Sequence, residues 1–132
     1  MKEYKEYIAV DFDATLSNYL RPWNYNKFGK PIKEVIKLVN YLYDKGYYIY
    51  IYTGRLENRE LYKWLKDNGV KYHTINTNPK HHPYGSRFKP YMTLGIDDKF
   101  MNPMKQNGKY KSFEELKEEA ENVLKLSNRG KD

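Results

Sequence analysis

Two carboxylates and a hydroxyl follow the first apolar run of the chain within five residues. The run Tyr7-Ile8-Ala9-Val10 leads directly into Asp11-Phe12-Asp13-Ala14-Thr15. Inside a strand, Asp11 and Asp13 would lie on one face and repel each other, whereas at the carboxyl end of a strand they can converge on a cation. A carboxylate held in line with a phosphorus atom can attack it and form an aspartyl phosphate. The segment therefore predicts a catalytic strand end, with Asp11 as the nucleophile and Asp13 as the acid and base.

Two further apolar runs also end in polar residues. Residues 47–52 are aromatic and β-branched and lead into Thr53-Gly54-Arg55, and residues 94–96 lead into Asp97-Asp98. These patterns are typical of strands. In open α/β sheets, ligands bind outside the carboxyl ends of the strands, so three such ends predict one shared site.

Helical patterns alternate with these strands. A crossover helix is predicted to begin at Pro31 and to end at Gly46, and a second helix is centred on Trp64. Residues 70–75 predict a third, weaker strand. A capping box formed by Ser112 and Glu115 predicts the start of a last helix.

The alternation predicts an α/β, three-layer Rossmann-like domain, with a mainly parallel sheet and helices on both faces. A chain of 132 residues is expected to form one domain over 1–132. If the first strand is central, with the second and third on one side and residues 94–96 on the other, the strand order reverses beside Asp11. Such a reversal creates a crevice.

Taken together, these segments resemble the haloacid dehalogenase-like (HAD-like) phosphohydrolase superfamily. Its first motif matches residues 11–15, its second matches Thr53, and its fourth matches Asp97-Asp98. The resemblance implies a HAD-like fold and hydrolysis of phosphate monoesters through an aspartyl-phosphate intermediate. Family members that act on small metabolites commonly carry a cap domain, but residues 16–30 and 76–92 are too short to fold as one. We therefore expect a capless enzyme with an open site.

The resemblance also implies a magnesium site and a phosphate site. The expected metal ligands are Asp11, the Asp13 carbonyl and Asp97, with Asp98 in support. Mg²⁺ suits such a site because it prefers oxygen ligands and neutralises charge during phosphoryl transfer. Thr53 and the amides near Gly54 are expected to hold the transferring phosphoryl oxygens.

The third motif of the superfamily is a lysine that neutralises the phosphoryl group, and two residues compete for this role. Lys80 follows the third predicted strand, so it should lie near Asp11. Lys89 precedes the short strand into Asp97-Asp98, as in small stand-alone members of the superfamily, and it is slightly favoured as both a catalytic and a phosphate-binding residue. The choice between Lys80 and Lys89 stays open.

Two expectations concern single positions. Ala14 stands where the family commonly has glycine, and since alanine disfavours positive φ, we expect a negative φ there. His73, His81 and His82 have no carboxylate at ligand spacing, so they are expected at polar or surface positions without a role in metal binding.

Charge and composition limit the kinds of substrate and cellular location that are expected. The net charge is +7, and residues 55–111 account for all of this excess. Arg55, Arg87 and Lys99 flank the predicted site, and their field would attract a phosphorylated substrate such as a nucleotide or oligonucleotide. The chain has no cysteine, which excludes disulfides and thiolate zinc sites. With neither a signal-peptide core nor a membrane-spanning run, the protein is expected to be cytoplasmic.

A magnesium-dependent phosphatase is therefore the leading interpretation. The alternative is a non-catalytic nucleic-acid-binding or regulatory protein that keeps the HAD-like fold and uses its basic surface. A signalling receiver domain is disfavoured because no aspartate ends the runs 47–52 or 72–75, where its phosphorylated residue would stand.

Overall fold

The apolar runs form the strands of a sheet, and the segments between them form helices. The structure is a computed structural model that describes residues 4, 6–18, 24, 27–77, 92–97 and 102–128. These residues fall into two compact units, one within Met1–Asp97 and one within Asp98–Asp132. In chain order the elements are β1 (Tyr7–Asp11), α1 (Lys33–Asp44), β2 (Tyr48–Tyr52), α2 (Arg59–Asp67), β3 (Thr74–Ile75), β4 (Leu94–Ile96) and α3 (Phe113–Asn128).

The strand order is the one for which the sequence predicts a crevice beside Asp11. The sheet runs β3-β2-β1-β4, and all three strand pairs are parallel. Because β1 lies between β2 and β4, the order reverses at β1, as predicted. The α/β Rossmann-like class is confirmed, and the part of the chain that the structure describes contains no inserted cap domain.

Alternation along the strands divides the core between the two faces of the sheet. Ile8 and Val10 of β1 face the helices and belong to one buried cluster with apolar side chains of α1 and α2, namely Ile36, Val39, Leu61 and Leu65. Full burial of each such side chain contributes about 1.5–3 kcal/mol to stability. On the opposite face, Ala9 packs with Tyr48 and Tyr50. Burial raises the pKa of Tyr50 to about 12.

The start of the first helix differs from the prediction. α1 begins at Lys33 rather than at Pro31. Pro31 forms an antiparallel bridge with Ser17, and Ile32 N donates to Leu16 O at 2.8 Å. These contacts hold residues 31–32 against the loop that follows β1, so the helix starts later.

The third strand is shorter than predicted because backbone donors before it bond elsewhere. Val70 N donates to Leu65 O at 3.0 Å, and Lys71 N donates to the Asn40 side chain at 2.8 Å. His73 is half-buried rather than at the surface position expected for it. Its ring stacks between two tyrosine rings, Tyr43 and Tyr48, each with a centroid distance of 4.6 Å. His73 Nδ1 accepts a hydrogen bond from Ile49 N at 3.0 Å, so this side chain extends the edge of the sheet.

The second unit contains the predicted capping box. Ser112 Oγ accepts from Glu115 N, and Glu115 Oε1 accepts from Ser112 N, both at 3.2 Å. The backbone hydrogen bond from Ser112 and the ammonium group of Lys105 lower the pKa of Glu115. The predicted start of α3 is therefore confirmed.

None of the helices in the described residues combines the length and the apolar character that a bilayer crossing requires.

Candidate active site

Three strand ends of the sheet meet beside β1. Asp11 is paired with Tyr52 of β2, and Val10 is paired with Ile96 of β4. Thr53 and Asp97 directly follow those partners. Since neighbouring strands lie about 4.8 Å apart, Asp11, Thr53 and Asp97 come together at the carboxyl edge, where the strand order reverses. This juxtaposition is the one that the sequence predicts.

Tyr52 contacts one of the two carboxylates at this edge. Its hydroxyl donates a hydrogen bond to Asp97 Oδ2. Burial raises the pKa of Tyr52, and the hydrogen bond to Asp97 and the negative charges of Asp97 and Asp11 raise it further. Both carboxylates are therefore close enough to act on one phenol group. The phenol is protonated at neutral pH, as tyrosine ordinarily is, and it donates its hydrogen bond to Asp97.

A tight turn after β1 orients Asp11 and moves Asp13 off the strand. Phe12 N donates to Asp11 Oδ1 at 2.8 Å, which fixes the carboxylate of Asp11. Phe12 O accepts from Leu16 N at 2.9 Å and from Ser17 N at 3.0 Å. The chain therefore reverses within a few residues, and the two carboxylates no longer share one strand face.

The negative φ expected at Ala14 is wrong. Ala14 has a φ of 63°, and its amide donates to Ser17 O at 2.7 Å. The left-handed region costs a residue with a Cβ about 1–2 kcal/mol. The turn thus imposes a conformation that suits glycine at this position, and alanine adopts it under strain.

Replacing Ala14 with glycine should therefore stabilise the protein. We expect Ala14→Gly to raise the free energy of unfolding by about 0.5–1 kcal/mol, since the relieved strain exceeds the added freedom of the unfolded chain. Urea denaturation measures this change. Ala120→Gly, inside α3, is the matched control and should destabilise by about 1 kcal/mol. A loss of stability in Ala14→Gly would contradict a strained turn.

Asp13 lies in a close ion pair with Arg55. Arg55 Nε donates to Asp13 Oδ1 and Oδ2 at 3.1 and 3.0 Å, and Nη2 donates to Oδ1 at 2.8 Å. The Arg55 side chain is 1% exposed and that of Asp13 is 20% exposed. Arg55 lies beside the site, as the sequence predicts, but its side chain is buried against Asp13 rather than exposed toward substrates. Its charge is neutralised inside the protein.

The segment after β2 is held by its neighbours. The side-chain amide of Asn76 accepts from Thr53 N at 2.8 Å and donates to Thr53 O at 2.9 Å. Thr53 Oγ1 accepts from Arg55 N at 3.1 Å, so the hydroxyl proton can be donated in another direction. Gly54 is exposed, and among the described residues a Cβ added to it would meet no atom within 4 Å. The geometry leaves room for an anion beside Gly54 and Thr53.

Two variants separate the two contributions of Asn76, which itself has a φ of 53°. Asn76→Gly removes both side-chain hydrogen bonds but tolerates positive φ, and it should cost about 1–2 kcal/mol. Asn76→Ala removes the same bonds and adds backbone strain, so it should cost about 1 kcal/mol more. Chemical denaturation of both variants measures the difference. Equal stability of the two would show that the backbone conformation at this position is unimportant.

The donor set at the strand ends fits a hard divalent cation. Asp11 and Asp97 present two carboxylates from neighbouring strands, and oxygen ligands of this kind are those that Mg²⁺ prefers. The carboxylate of Asp13 points to Arg55, which leaves the predicted Asp13 contribution to its main-chain carbonyl. Within the described ranges, no three acidic or histidine side chains form a metal cluster.

Three predicted site residues lie outside the described residues. These are Lys80, Lys89 and Asp98. Both the choice between the two lysines and the supporting role of Asp98 stay predictions. His81 and His82 also lie outside the described residues.

Three residues gained importance only from the structure. Arg55 was visible as a cation, but nothing in the sequence indicated that it is buried against Asp13. Tyr52 carried a usable signal, because by strand alternation it lies on the same face as Asp11. Asn76 stands directly after β3, and asparagine tolerates positive φ better than most residues, so this position could have been identified as a turn with a side-chain contact.

Solved structures are similar to this chain in fold. A conserved protein from Bacteroides thetaiotaomicron has 21% identity and a TM-score of 0.56, and the match covers 96% of this chain and 98% of the other. A target protein from Vibrio cholerae has 21% identity and a TM-score of 0.47, with 89% and 98% covered. No family model matches the sequence, and no curated protein matches it significantly. The first likeness supports the α/β Rossmann-like fold alone.

Proposed function

We propose that this protein is a magnesium-dependent phosphatase that hydrolyses phosphate monoesters through an aspartyl-phosphate intermediate. One observation carries the proposal: Asp11, Thr53 and Asp97 lie together at the carboxyl ends of three adjacent parallel strand segments, where the strand order reverses. The resemblance of these same residues to the HAD-like superfamily supports it. Nucleotide or nucleic-acid phosphates are the proposed substrates, because the net charge of +7 favours polyanions.

Asp11 and Asp13 have different roles in the proposed reaction. An Asp11 oxygen attacks the phosphorus, the bond from phosphorus to the leaving oxygen breaks, and Asp13, which enters this step in its protonated form, transfers its proton to that oxygen. A water molecule then attacks the phosphorus and gives a proton to Asp13. The bond between phosphorus and Asp11 breaks, which releases inorganic phosphate and restores both side chains. Thr53 and the amides near Gly54 would hold the phosphoryl oxygens throughout.

Asp11, Asp97 and the Asp13 carbonyl would hold Mg²⁺. When bound, this ion would supply positive charge that stabilises the transferring phosphoryl group. Tyr52 orients Asp97 for this purpose through its hydrogen bond.

Removing the Tyr52 hydroxyl should weaken magnesium binding. Groups that orient a metal ligand typically contribute 10- to 100-fold to affinity, so we expect Tyr52→Phe to weaken Mg²⁺ binding by roughly 10-fold. Calorimetric titration with Mg²⁺ measures this without any substrate. Tyr62→Phe, at an exposed tyrosine of α2, is the matched control and should bind Mg²⁺ as the wild type does. Unchanged affinity in Tyr52→Phe would exclude an orienting role for its hydroxyl.

A direct assay tests the proposed activity. Purified protein should release phosphate from an aryl phosphate in the presence of Mg²⁺, and a chelator should abolish this release. The same assay with nucleotides, phosphorylated oligonucleotides and sugar phosphates tests the substrate class. Activity on sugar phosphates alone, without salt dependence, would exclude the proposed substrates. It would not contradict the proposed phosphatase activity. No hydrolysis of any monoester would refute the proposed function.

The ion pair of Asp13 favours one second candidate. A carboxylate that Arg55 holds on both oxygens also suits a protein that keeps the fold without turnover. In that case the protein would bind nucleic acid or regulate a partner through its basic surface. Salt-dependent binding of an oligonucleotide, with no hydrolysis of its terminal phosphate, would support this candidate over the phosphatase.

A further inference from the structure

Arg55 is held at four points by groups that surround the site. Beyond its three hydrogen bonds to Asp13, its Nη1 donates to Asn24 O at 2.8 Å. The guanidinium also lies over two aromatic rings, 4.6 Å from the centroid of Phe28 and 5.6 Å from that of Phe12. A planar group that is hydrogen-bonded at its edge and packed on its face has little freedom to rotate.

The same residue connects Asp13 to the phosphate-binding segment. The main-chain amide of Arg55 donates to Thr53 Oγ1 at 3.1 Å, and the Arg55 side chain donates hydrogen bonds to the carboxylate of Asp13. Arg55 therefore spans the distance between the group proposed to hold the phosphoryl oxygens and the group proposed to serve the leaving oxygen. One residue therefore contacts both groups, Thr53 through its main chain and Asp13 through its side chain.

We propose that Arg55 is a positioning residue, which holds the Asp13 carboxylate at the place where it meets the leaving oxygen of the substrate. This inference rests on the proposed phosphatase function. Lysine cannot replace Arg55 here, because an ammonium is a point charge without the planar fork that contacts both carboxylate oxygens. A displaced Asp13 harms most those substrates whose leaving oxygen needs a proton, such as alkyl phosphates. Aryl phosphates depart readily and depend less on Asp13.

The test compares an alkyl and an aryl phosphate of similar size. For Arg55→Lys we expect kcat/KM to fall by roughly 10- to 100-fold on the alkyl phosphate but by less than about 3-fold on the aryl phosphate, since general acid catalysis contributes about 10²–10⁴-fold. Arg59→Lys, an exposed arginine on α2, is the matched control and should change neither value. Thermal unfolding of each variant shows that the protein assayed is folded.

Chemical rescue provides a second readout that a purely structural residue would not give. In Arg55→Ala, millimolar guanidinium ion should fill the vacated site between Phe28 and Asp13 and restore activity on the alkyl phosphate selectively. A potassium salt at equal ionic strength controls for screening. If Arg55→Ala does not fold, Arg55→Lys still decides the inference.

The outcomes separate this inference from the proposed function. Equal slowing of both substrates by Arg55→Lys, or no slowing of either, would overturn the positioning role while the phosphatase stands. A wild-type protein that hydrolyses neither substrate would refute the proposed function, and the positioning role would fall with it. Selective loss on the alkyl phosphate supports both.

Discussion

Replacing Asp11 with asparagine should reduce kcat by roughly 10³-fold or more while leaving the fold intact. Asparagine has the shape of aspartate, and its oxygen can still accept the hydrogen bond that Phe12 N donates to Asp11. It lacks the charge that makes the carboxylate a nucleophile. The expected result is therefore a folded protein without turnover.

Steady-state hydrolysis of an aryl phosphate, together with thermal unfolding, measures both parts of this result. Asp67→Asn, an exposed position at the end of α2, is the matched control and should retain full activity. Asp11→Asn that keeps more than about a tenth of the wild-type rate would exclude covalent catalysis by this residue. A simultaneous loss of fold would leave the kinetic result to milder variants such as Asp11→Glu, which keeps the charge but moves it.

Breaking the pair between Arg55 and Asp13 should have the largest effect on stability. Arg55 is almost fully buried, so Asp13→Asn leaves a guanidinium without its counter-charge. Removing one partner of a buried pair costs about 3–5 kcal/mol, and the partial exposure of Asp13 reduces this to about 2–4 kcal/mol. The double variant Asp13→Asn with Arg55→Met should lose clearly less than the sum of the single losses.

A double-mutant cycle by urea denaturation measures this coupling, which we expect to be about 1–3 kcal/mol. The exposed pair of Lys63 and Asp67 provides the control, since its side chains are 73% and 54% exposed. That pair should show a coupling below about 0.5 kcal/mol. Additive losses for Arg55 and Asp13 would mean that the ion pair does not stabilise the fold.

The sheet could be predicted from the sequence because its signals are local. β1 and β2 are continuous, largely buried runs, and a parallel strand that is covered on both faces permits few polar residues. The order of the strands was only a condition, namely that β1 is central, because no local signal in the sequence sets it. The start of α1 was harder to predict from the sequence, because the hydrogen bond from Ile32 to Leu16 joins residues far apart in sequence.

The candidate site was also predictable only in part. Asp11, Thr53 and Asp97 could be brought together on paper because each directly follows a strand, and the register of a parallel sheet aligns such positions. The contacts that their side chains make could not be predicted from the sequence. Whether Arg55 faces substrate or Asp13 depends on where Asn24 and Phe28 lie, and no periodic pattern describes that loop. The positive φ of Ala14 likewise depends on its hydrogen bond to Ser17.

The central claim is that Asp11 itself carries the phosphoryl group during turnover. Protein quenched in acid while it hydrolyses an aryl phosphate, whose leaving group needs little help from Asp13, then digested and analysed by mass spectrometry, reports this directly. We expect one phosphoryl group on the peptide that contains Asp11, in larger amount in Asp13→Asn, because that variant lacks the base that activates water for the second step. The label should be absent from Asp11→Asn. Active turnover with no phosphorylated Asp11 in either the wild type or Asp13→Asn would contradict the account.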